Sequence, residues 1–110
     1  MGVKAIDHWV LVVKDVDRTL DFYRRLGLET SYQERTGGAP PRPIIRISPV
    51  QKINLYAAHL YETESPGGAP NITPGTGDFC LHWDGTVPEV LAFLKRSGIP
   101  VTGGPISRVG

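Results

Sequence analysis

The chain repeats itself, and that repeat limits the possible folds more than any single motif does. A strand-like run, "AIDHWVLVV", leads into the helix-like "KDVDRTLDFYRRLGLE", and the same order returns in "GDFCLHWDGTVPEVLAFLKRSGIPV". Gly27 matches Gly98, Leu28 matches Ile99, Phe22 matches Phe93 and Leu20 matches Leu91, each pair 71 positions apart. The strands align at an offset of 70, which pairs His8 with Asp78, Val10 with Cys80 and Val12 with His82. One additional residue in the second strand–helix loop absorbs the difference. Self-similarity at a fixed spacing points to one strand–helix–strand module used twice.

Local signals agree with the repeat. Asp15 stands where an N-cap belongs, and Val16, Leu20, Tyr23 and Leu26 fall on one helical face. Gly27 follows that run in the position of a C′ glycine. In the second unit Thr86-Val87-Pro88-Glu89 reads as a capping box, Val87, Val90, Leu91 and Leu94 form the apolar stripe, and Gly98 ends it. Basic pairs, Arg24 with Arg25 and Lys95 with Arg96, occupy the two last turns, where they complement the helix dipole. Between the units lie three further strand candidates, roughly 28–35, 42–48 and 52–58, separated by the turn sequences "TGGAPP" and "SPVQ". The Pro- and Gly-rich stretch 59–76 reads as a linker. The expected order is βαβββ, linker, βαβ: module one at about 4–58 and an incomplete module two at about 77–110.

A chain of 110 residues fits one domain that buries roughly two-thirds of its unfolded surface. A net charge of +1 provides no electrostatic case for nucleic acid or for an anionic membrane surface. The apolar run "WVLVV" is far short of the roughly 20 residues a spanning helix needs, and "MGVKAI" has no signal-peptide core. A single cysteine excludes an internal disulfide and fits a reducing cytoplasm. There the Asn71-Ile72-Thr73 sequon has no meaning as a glycosylation acceptor.

His8 is the residue with the most chemistry to offer. Strand alternation puts Val10 and Val12 on its face and Asp7, Trp9 and Leu11 on the other. It is either a core histidine with satisfied nitrogens or a ligand for Zn, Ni, Fe or Mn. Cys80 has no adjacent base or second cysteine and reads as a small core residue.

The element order, with "IDHWVLVVKDVDRTLDFYRRLGLE" at its head, resembles the vicinal oxygen chelate superfamily of glyoxalase I, bleomycin-resistance proteins and extradiol dioxygenases. The shared signature is Asp-His opening strand one, an acidic cap, then Phe-Tyr and Leu-Gly-Leu closing the helix. "QKINLY", "PGTGDFCL" and "GGPISRVG" are similar to a small single-domain glyoxalase-like subgroup. The resemblance implies an α+β fold of two βαβββ-type modules, with curved mixed sheets around a cup and the second module lacking its last strands. It places a divalent metal (Ni, Zn, Mn or Fe) on side chains from the first and last strands of each module.

Carried over residue by residue, the metal positions are His8 and Asp78. Tyr56 occupies the fourth-strand position, and the eighth-strand Glu has no counterpart before Gly110. A phenol is a poor ligand at neutral pH, so Tyr56 reads as a pocket aromatic that donates a hydrogen bond. Asp78 either ligates or hydrogen-bonds nearby backbone. His82 shares its face but lies about 13 Å along the strand, too far to share one ion with Asp78. It either meets a ligand or packs beside Trp83. His59, Glu62 and Glu64 read as solvated surface.

The implied function is glyoxalase- or dioxygenase-like: metal-assisted chelation of vicinal oxygens by a lyase or oxygenase, or else metal-free binding of a small molecule, as in drug-sequestering relatives. No catalytic residue is identified. An incomplete second module exposes a sheet edge, which implies a homodimer.

Overall fold

A computed structural model describes residues 2–61 and 73–107. The elements run β1 (Gly2–Val13), α1 (Val16–Arg25), β2 (Glu29–Gln33), β3 (Arg42–Ser48), β4 (Gln51–Ala57), a 3-10 turn (Ala58–Leu60), β5 (Gly77–Asp84) and α2 (Val87–Arg96). The five strands form one open mixed sheet in the order β2-β3-β4-β1-β5. β1 runs parallel to β4 and antiparallel to β5, and the remaining pairs are antiparallel. The architecture is therefore α+β, as the repeat predicts. Among the described residues no helix is long and apolar enough to cross a membrane.

Both helices begin and end as their sequences require. The Asp15 carboxylate accepts from the Arg18 backbone N–H at 3.0 Å, and the Thr86 hydroxyl accepts from that of Glu89 at 3.3 Å. Gly27 and Gly98 follow the two helices with φ of +99° and +69°, a conformation only glycine adopts cheaply.

The two sheet faces are packed differently. Leu20 of α1 seals Ile45 and Leu55, with Leu11, Val13, Val16, Tyr23, Leu28 and Ile53 packed around them. The opposite face carries a second cluster of Val10, Val12, Tyr56 and Tyr61. Leu26, on the predicted apolar face of α1, is exposed instead.

Module two is only half built. β5 adds to β1 at the sheet edge, but α2 has no fully buried residue, and its firmest apolar contact is Phe93 against Trp83, ring centroids 5.2 Å apart. The strand expected after α2 does not form among residues 97–107. In module one the corresponding strand, β2, is held by β3, which in turn is held by β4. Among the described residues no such strands stand between residues 97–107 and β5.

The predicted linker is partly structured. Tyr61 is buried, and Thr76 and Gly75 extend the ladder beside Val12 with two backbone bonds of 2.8 Å. Glu62, Glu64 and the sequon residues Asn71 and Ile72 lie outside the described residues.

Candidate functional site

On the sheet face away from α1, register fixes which side chains are neighbours. Arg46, Lys52, His8 and Cys80 form one cross-strand row; Ile44, Asn54, Val10 and Asp78 form the next. Arg42 of β3 lies one step further, toward Tyr56 and Val12. The four predicted site residues, His8, Asp78, Tyr56 and His82, therefore share this face, distributed over three strands.

A bulge changes what surrounds His8. Ile6 pairs with Leu81 and His8 with Cys80, which leaves Asp7 as an extra residue in β1. The two residues of a bulge oppose one partner, so strict alternation fails there. Asp7 consequently joins His8 instead of facing the other way with Trp9. The His8 Nδ1–H donates to Asp7 Oδ2 at 2.7 Å, and the His82 Nε2–H donates to Asp7 Oδ1 at 2.6 Å. One carboxylate thus bridges imidazoles from β1 and β5. The His8 hydrogen bond is the main influence holding the Asp7 carboxyl below its usual range; partial burial opposes it and His82 adds to it.

Asp7, His8 and Cys80 also bring one oxygen, one nitrogen and one sulfur atom within 4.8 Å of one another. Three such donors suit a borderline ion such as zinc, whose bonds to them span about 2.0–2.3 Å. The three atoms form a candidate ligand cluster for a divalent metal.

Asp78 does not join that group. The Tyr61 hydroxyl donates to Asp78 Oδ2 at 2.5 Å, which ties the carboxylate to the turn after β4. Tyr61 was not singled out by the sequence because it sits in a stretch read as linker. Tyr56 is buried edge-on to Tyr61, with Arg35 and Arg42 guanidiniums 5.9 and 5.7 Å from its ring centroid. It is a buried aromatic between Tyr61 and the two guanidiniums. His82 meets Asp7, four residues from where Asp78 lies on β5. Cys80 is exposed and belongs to the donor group, not to a core.

Lys52 also lies on this face and was not singled out by the sequence; its buried position is visible only from the packed sheet. It donates to Gln33 Oε1, and burial, followed by repulsion from Arg42, pushes its ammonium down to about 8.

Comparison with known proteins follows from this geometry. A family model described as Glyoxalase/Bleomycin resistance protein/Dioxygenase superfamily matches residues 5–108. The chain is 33% identical to a glyoxalase domain-containing protein, RDO1, of Mycosarcoma maydis, over all of this chain and 57% of that protein. It is 32% identical to virulence protein STM3117 of Salmonella typhimurium, again over its whole length and 71% of the relative. The crystal structure of that virulence protein superposes with a TM-score of 0.54 at 30% identity, covering all of this chain and 81% of the other. An integron cassette protein from the mobile metagenome of V. cholerae gives 0.52 at 27% identity, covering 100% and 80%. The chain thus spans between about half and three-quarters of the length of these curated relatives.

Proposed function

The chain belongs to the glyoxalase/bleomycin resistance protein/dioxygenase superfamily, and on that premise we propose that its open sheet face binds a small molecule through vicinal oxygens, with a divalent metal held by Asp7, His8 and Cys80. The observation that supports this reading is the convergence of those three donors within 4.8 Å. A Ni, Zn, Mn or Fe ion bound there supplies Lewis acidity to ligand oxygens, the chemistry a lyase or oxygenase of this kind requires. Asp7 also meets His82, and Tyr56 and Tyr61 make the adjoining wall apolar. Asp78, held by Tyr61, positions that wall and is not a ligand in this reading. We further propose that residues 1–110 act as one cytoplasmic domain that pairs as a homodimer through the β5 edge, where Phe79 and Leu81 are exposed.

The test is metal stoichiometry after separate reconstitution with Ni, Zn, Mn and Fe(II), followed by removal of unbound ion. About one ion per chain is expected, lost in His8→Ala and weakened at least tenfold in Cys80→Ala. No retained ion in the unaltered chain overturns the metal reading.

A second reading, metal-free binding, is favoured by one specific observation. Lys52 is buried in the same cross-strand row as His8, and its positive charge opposes a divalent ion nearby. The same reconstitution separates the two readings.

A further inference from the structure

We propose that the β3–β4 part of the open face is a binding site for a small oxyanion, a carboxylate or phosphate carried by a ligand with a neighbouring hydroxyl, with Arg42 as its anchor. The inference shares with the functional reading only the location of the ligand on this face; it does not require the metal.

Arg42 is 9% exposed, yet its Nε and Nη1 are buried without a hydrogen-bond partner. Buried charged donors left unpaired are strongly unfavourable. A lysine relieves that penalty by shedding its proton, but a guanidinium stays charged throughout the physiological range. An oxyanion satisfies Arg42 most fully, because it offers two acceptor atoms and the opposite charge together.

Among the described residues, the carboxylates on this face are engaged elsewhere. Asp7 is taken up by His8 and His82, and Asp78 by Tyr61. The surroundings add positive charge instead. Arg35 approaches the same Tyr56 ring as Arg42, and Lys52 lies buried on the same face of β4. Burial is the main cause of the low proton affinity of Lys52, and repulsion from Arg42 adds to it.

Asn54 defines the rest of the ligand. It is 1% exposed and its Oδ1 is also buried without a partner. It pairs in register with Ile44, one same-face step from Arg42 on β3. An acceptor beside a guanidinium fork calls for a ligand hydroxyl next to its oxyanion, as in a 2-hydroxy acid. The fork itself matches a carboxylate or phosphate with two parallel hydrogen bonds.

The experiment is titration calorimetry of the full chain, treated with a chelator, with glycolate, acetate and inorganic phosphate at constant ionic strength, with Arg42→Met and Asn54→Asp alongside. Glycolate is expected to bind at one per chain, about tenfold tighter than acetate, which lacks the hydroxyl. Arg42→Met is expected to weaken it at least tenfold. Asn54→Asp places a carboxylate in the site and is expected to abolish binding while circular dichroism shows the fold retained. Measured on the chelator-treated chain, these affinities involve no metal, so failure of this proposal and failure of the metal reading are recognised separately. Phosphate binding tighter than both acids, and lost in the same two variants, identifies phosphate as the source of the oxyanion. Equal affinity for glycolate and acetate overturns the role of Asn54. Absence of saturable binding by all three probes, or affinity unchanged in both site variants, overturns the proposal.

Discussion

Lys52 and Asp7 show how much a single position depends on what folding places beside it. Lys52 holds its proton more weakly in the folded chain, at about 8, than in the unfolded chain at 10.5. Between those values the unfolded state binds more protons, so this group makes stability rise with pH across that window. The full effect amounts to about 3 kcal/mol at most. Lys52→Met is expected to raise stability at pH 7 by about 1–2 kcal/mol and to flatten the rise between pH 8 and 10.5. Urea denaturation of both proteins at pH 7 and pH 10 measures it, and an equal pH response in the two proteins refutes it. Nothing in "QKINLY" announces this lysine, because its burial is created by β3 and β1 on either side. Asp7 was hidden for a different reason: the bulge that turns it toward His82 depends on pairing with a strand about 70 residues away. His8, by contrast, was legible from its own strand.

At the scale of elements, α1 and α2 carry equivalent caps and equal lengths but unequal burial. Leu20 of α1 is fully enclosed by Ile45 and Leu55, whereas the apolar stripe of α2 is only partly covered. Leu20→Ala is therefore expected to cost about 2–5 kcal/mol, the range for emptying a packed site. Leu94→Ala should cost under about 1 kcal/mol, since little neighbouring structure is lost. Urea unfolding distinguishes them, and comparable losses in both would show α2 to be packed as tightly as α1. Hydrogen exchange adds an independent readout: amides of α2 are expected to exchange well before those of α1. The caps were readable because capping is local chemistry. The burial was not, because it depends on strands that stand opposite the helix in module one and have no counterparts in the described part of module two.

For the whole molecule, the radius of gyration is 15.2 Å against about 13 Å for a compact domain of this length. The molecule is correspondingly elongated, at 44 × 29 × 26 Å. Trp9 and Phe79 stack at 5.2 Å on the α2 side of the sheet, yet they remain 46% and 52% exposed, beside an exposed Leu81. Apolar surface at a sheet edge favours a second copy. Sedimentation velocity is expected to show a concentration-dependent shift toward dimer, abolished in Leu81→Glu; a monomer at every concentration would refute it.

By itself the sequence determined both helix caps and the strand–helix order of each unit, since capping and periodicity act over a few residues, while the family resemblance implied the α+β class. Tertiary structure alone decided that Asp78 is tied to Tyr61, that Asp7 and Cys80 join His8, that Arg42 and Lys52 are buried, and that residues 97–107 form no strand. Each of those outcomes depends on which distant segment becomes the neighbour, and register, bulges and burial exist only once the strands have paired.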